Sequence, residues 1–120
     1  MGTIVRYPLS SIGYIRQDAL VPAGQSGVVF FLRIPSDYVA FVDQVANSYY
    51  PNCYLVWEID GERVIVKHQM GSINAPKEFK PPIVAFHYIK WIAYNNSDED
   101  HWFEVLNDGY VVEKEALGLL

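Results

Sequence analysis

Short runs rich in Val, Ile, Tyr, Phe and Trp succeed one another along this chain, each closed by Gly, Pro, Asn or Asp. β-Branched and aromatic side chains suit a pleated, half-buried surface and the punctuating residues supply turns, so the pattern predicts strand after strand with little helix. The period is visible from Cys53 to Ile59. Cys53, Leu55, Trp57 and Ile59 fall on one face, while Glu58 and Asp60 fall on the other. Asp60-Gly61 then supplies a hairpin turn and Arg63 to His68 returns.

The remaining runs follow the same logic. Ile12 to Leu20 is a first strand, Val21 to Gly27 a loop, and the continuous apolar run Val28 to Ile34 suits a central strand buried on both faces. From Tyr38 to Tyr49 the apolar residues also recur at helical spacing behind Ser36 or Asp37 as a possible N-cap, but Val39, Phe41, Val42 and Val45 favour strand. Met70 to Pro82 reads as a surface loop, Ile83 to Tyr94 as the longest strand, and Asn95 to Asp100 as a polar turn. Trp102 to Leu106 and Tyr110 to Lys114 close the chain around an Asn107-Asp108-Gly109 turn. Seven or eight strands without intervening helices predict an all-β antiparallel sandwich or barrel.

With 120 residues, the chain fits one domain, here residues 1–120 with an N-terminal arm (1–11) and an apolar C-terminal tail (116–120). A net charge of −5 with scattered Lys and Arg argues against nucleic acid as a partner. No apolar run approaches a membrane span and Met1-Gly2-Thr3 opens no signal region, so a soluble, untargeted chain is expected. Cys53 is the sole cysteine, which excludes an intrachain disulfide and a cysteine-based zinc cluster.

No catalytic, cofactor or metal site is expected from the sequence. His68, His87 and His101 lie in three segments without ligand spacing, and Cys53 opens an apolar strand face rather than an electropositive one. Asp98, Glu99 and Asp100 lack the alternation of a calcium loop and read as a solvated turn. Glu58 and Asp60 are spaced to share a cleft, as glycosidase carboxylates do, but the simpler reading is an exposed face beside a turn. Gly24-Gln25-Ser26-Gly27 lacks the Lys of a phosphate loop, and the Asn95-Asn96-Ser97 glycosylation match has no secretory context.

Aromatic residues make up 15% of the chain, more than so small an interior readily hides, so some are expected to face a partner. Tyr49, Tyr50 and Trp102, with Leu117, Leu119 and Leu120 of the tail, are the candidate interface anchors. Exposed Trp and Tyr would also suit sugar stacking, which makes a carbohydrate-binding module or adhesin the alternative reading.

The order of motifs resembles small jelly-roll-like β-sandwich accessory and decoration proteins of phage virions. The resemblance rests on Val21-Pro22-Ala23-Gly24, Ile34-Pro35, the Tyr38 to Val45 strand, Trp57 to Gly61, Pro81-Pro82-Ile83, Ala93 to Ser97, and Asp108 to Val112. It implies a non-enzymatic protein of the virion, assembled in the host cytoplasm, that joins its own copies, often as trimers, and other virion proteins. The helix-compatible segment at Tyr38 to Tyr49 and the apolar tail depart from that pattern.

Overall fold

The computed structural model describes residues 3–120, and every extended element in it is a strand. Nine strands form in order: β1 (Tyr7–Pro8), β2 (Arg16–Val21), β3 (Ser26–Arg33), β4 (Tyr38–Asn47), β5 (Cys53–Ile59), β6 (Glu62–Val66), β7 (Lys77–Ala85), β8 (Tyr88–Asn95) and β9 (His101–Glu113). Short 3-10 turns cover Leu9–Ser11 and Lys114–Leu117. β4 is strand and not helix, as its β-branched residues require.

The strands divide into two antiparallel sheets. Sheet A runs β1-β9-β4-β7, with β2 sharing with β1 the edge of β9 opposite β4; sheet B runs β3-β8-β5-β6. Strands 2, 9, 4, 7 therefore face strands 3, 8, 5, 6, the wrapped order of a jelly roll. The apolar positions of the period-two pattern meet between the sheets, where Phe30, Leu55, Trp91, Phe103, Val105 and Val111 are fully buried. Trp57 stacks on Trp91 at 5.3 Å between centroids, and the Trp91 indole N–H donates to Asn107 Oδ1 at 3.3 Å.

Several sequence expectations are corrected. Val28 to Ile34 is not a central strand: β3 forms an edge of sheet B and leaves Val28 and Phe31 half exposed. The loop expected at Met70 to Pro82 ends early, because β7 begins at Lys77 and carries Pro81 and Pro82 on a sheet edge, where a missing N–H is tolerated. Ile83 to Tyr94 is broken at Phe86 and His87, whose N–H groups, with that of Tyr88, bond the Asp60 carboxylate. Asn107-Asp108-Gly109 is no turn, and β9 runs through it, shifting register against β4 between Val42 and Gln44. These changes, with short β1, account for nine strands instead of seven or eight. Leu9 is fully buried, so the N-terminal arm is anchored in the core; its residues 1–2 lie outside the described residues.

Candidate functional site

Strand periodicity gives each sheet an outer face, and in this chain both outer faces carry apolar side chains. On sheet A, Phe41 stacks on Tyr110 at 5.0 Å, and the Arg6 guanidinium lies 4.3 Å above the Tyr110 ring. Ile4 and Leu117 line the same groove with Phe41, Tyr110 and Val112, so the two ends of the chain lie over this face.

Sheet B carries a second apolar outer face, which is exposed at its edges while Val56 near its centre is 7% exposed. The register places Val28 opposite Ile92, Ile92 opposite Val56, and Val56 opposite Ile65, one aliphatic row crossing all four strands. Val28 and Ile65 stand 50% and 61% exposed at its ends. On one side of the row Tyr54 and Tyr94 stack at 4.7 Å, and on the other Phe31 and Tyr88 stack at 6.0 Å. Rings and β-branched side chains held on adjacent strands form a flat, rigid surface with little entropy left to lose on contact.

A single charged row crosses this surface, formed by Lys90, Glu58 and Arg63. The Glu58 side chain is only 7% exposed, and it accepts from Arg63 Nε at 2.6 Å and from the Tyr88 hydroxyl. The Tyr88 hydrogen bond and then the Arg63 contacts hold its carboxyl below the ordinary glutamate value of 4.5, against the opposing effect of burial. A depressed folded value means that ionised Glu58 adds stability above pH 4.5, and that this stability is lost as pH falls through the lowered value. Glu58→Gln should therefore lower unfolding free energy by about 1–3 kcal/mol at neutral pH. In urea melts the gap to wild type should shrink on acidification; a gap constant with pH would refute the assignment. The Asp60 carboxylate accepts from the backbone N–H groups of Phe86, His87 and Tyr88, so both carboxylates have partners within the chain.

The six anchors named from sequence fall into two separate groups. Tyr49 is partly exposed and tilts against His68. Tyr50 packs inward, stacking on His101 at 4.0 Å and donating to the Trp102 carbonyl oxygen at 2.7 Å. Trp102 is 60% exposed on the outer face of sheet A, opposite Leu20. Leu117, Leu119 and Leu120 lie beyond the other end of β9, roughly 35 Å away at about 3.3 Å per strand residue. Leu119 and Leu120 are exposed.

Sequence reasoning missed Val28, Val56, Ile65 and Ile92. Alternation within each strand was the available signal, because Val56 sits between core-facing Leu55 and Trp57, but only the cross-strand register joins the four into a row. Two other candidates are tied into the fold. Cys53 is buried with its thiol donating to Asn95 Oδ1 at 3.3 Å, and Asn95 is fully buried, which withdraws the glycosylation acceptor. Among the described residues no group of three or more His, Cys, Asp or Glu is placed to hold a metal ion. Among the described residues no helix is long and apolar enough to cross a membrane. No family model, curated protein or solved structure matches the chain.

Proposed function

We propose that this chain is a non-enzymatic structural protein of a virion, a capsid-decoration, accessory or fibre component, which stabilises an assembly by adding buried interface area between subunits. The observation that carries the reading is the aliphatic row of sheet B, flanked by stacked rings and exposed at Val28 and Ile65. An apolar face exposed at both of its edges is what a subunit needs to be held by its neighbours. The charged Lys90, Glu58 and Arg63 row fixes orientation, and the net charge of −5 keeps the free chain soluble. The jelly-roll strand order agrees with the motif resemblance but specifies no role, because the same fold hosts lectin domains.

The test is gradient fractionation of particles from the chain's source. The chain should sediment with intact particles after a salt wash, since apolar burial is not screened. Finding it only in the soluble fraction would refute the virion role.

Trp102 favours a second reading, a carbohydrate-binding module, because its ring stands exposed on a strand beside Leu20. A glycan array would support this reading through binding that Trp102→Ala abolishes, and silence on the array would remove it.

A further inference from the structure

The free edges of the two sheets are managed unequally. In sheet A, β7 carries Pro81 and Pro82, which cannot donate to another strand, and β2 lies against β3 of the opposite sheet. In sheet B, the edge of β3 is occupied by a side chain: Gln17 Nε2 donates to the Phe31 carbonyl at 2.8 Å, and the Phe31 N–H donates to Gln17 Oε1 at 3.1 Å. β6 has none of these devices. Glu62 to Ile65 are all exposed, the strand contains no proline, and β5 is its one pairing partner among the described residues. Val64 and Ile65 are exposed by more than half.

We infer that β6 pairs antiparallel with β6 of a second copy, joining two B sheets into one continuous sheet across a two-fold axis. The inference rests on the assembly role proposed above and names the self-contact. The hairpin turn has positive φ at both Asp60 and Gly61, the two-residue type whose flanking residues, Ile59 and Glu62, exchange hydrogen bonds. Antiparallel ladders alternate, so Glu62, Val64 and Val66 turn their peptide groups to β5 while Arg63 and Ile65 turn theirs to the open edge. Carried on across β8, the same alternation puts the Phe31 peptide groups on the free edge of β3, which is where Gln17 meets them.

A two-fold axis between antiparallel edge strands stands normal to the sheet and keeps each residue on its own face. Paired positions must then share parity. Every register centred on a residue of the strand brings outward groups together; centred on Arg63, the pairing sets that side chain against its own copy, like charge on like. Centred on Ile65, the pairing sets Arg63 against Lys67 of the second copy, like charge on like. Centred on Val64, it lets Arg63 exchange both peptide hydrogen bonds with Ile65 of the second copy and brings Lys67 to the acidic Asp60-Gly61-Glu62 turn. Charge complementarity selects the register centred on Val64. Area points the same way: four strands about 4.8 Å apart and about 23 Å long present roughly 450 Å² of face. That is little beside the ~800 Å² per partner of a stable interface, whereas two B faces side by side reach roughly 900 Å². The pair thus presents a doubled aliphatic face to one particle surface.

Light scattering on the purified chain should give an even multiple of 13.7 kDa. Ile65→Pro deletes an N–H that points away from β5, so it should preserve the far-UV spectrum and halve the mass. Val64→Cys, centred on the axis, should form an inter-chain disulfide under mild oxidation, and Glu62→Cys should not. A trimer, a monomeric wild type, or an assembly whose mass survives Ile65→Pro with no Val64→Cys cross-link would overturn the edge pairing. Particle binding through the sheet B face is a separate measurement, so it can hold where the pairing fails.

Discussion

Gly109→Ala is expected to cost the protein a large part of its folding stability. Gly109 lies within β9 where the strand passes the β4 bulge, and a Cβ built on it stands 1.9 Å from the Phe41 carbonyl oxygen and 2.9 Å from the Phe41 carbonyl carbon. Both obstacles are backbone, so no rotamer change relieves them. β4 would have to leave β9, and that ladder forms the middle of sheet A. The loss should be about 4 kcal/mol or more, a large part of the ~5–15 kcal/mol that holds a typical domain together. Urea unfolding would measure it as a collapse of the midpoint; a midpoint within experimental error of wild type would show that the close approach is absent in solution.

The second large effect concerns binding and leaves the fold intact. Val28→Glu with Ile92→Lys sets opposite charges directly across β3 and β8, a pairing that an open sheet face accommodates. Buried against an apolar partner, the same two charges must shed water without partners shaped to receive them, at about 3 kcal/mol or more. Each 1.4 kcal/mol is about tenfold, so particle affinity should fall by more than about 100-fold. The mass in solution should stay as in wild type, because β6 and not the row joins the copies. An unchanged affinity would place the contact surface elsewhere on the molecule.

Some of this was legible in the sequence and some was not, and the division is physical. The period of Cys53 to Ile59 and the Asp60-Gly61 turn are local properties, and β5 and its hairpin follow from them. The β propensity of Val39, Phe41, Val42 and Val45 likewise outweighed the helical spacing at β4. Asn107-Asp108-Gly109 carries turn chemistry, yet tertiary pairing with β4 draws it into a strand and uses the glycine for close approach instead. Tyr50 was expected at an interface because it is large and flanks Pro51, but the ring finds His101 and Phe103 within its own chain. The row Val28, Ile92, Val56 and Ile65 depends on three cross-strand registers, and no single segment contains it. In one dimension Val56 looks like a residue of a strand buried on both sides. The folded chain buries Val56 to 7% exposure and leaves Val28 and Ile65 exposed, a division that only the assembled sheet reveals.

The direct test of that surface is a sedimentation titration of purified particles with the wild-type chain and with the Val28→Glu, Ile92→Lys variant in parallel. The wild type should pellet to saturation, and the variant, folded by its far-UV spectrum, should remain in the supernatant at concentrations where the wild type is fully bound. A wild type that never pellets, or a variant that saturates the particles alongside it, would contradict the claim that the open face of sheet B holds this protein in an assembly.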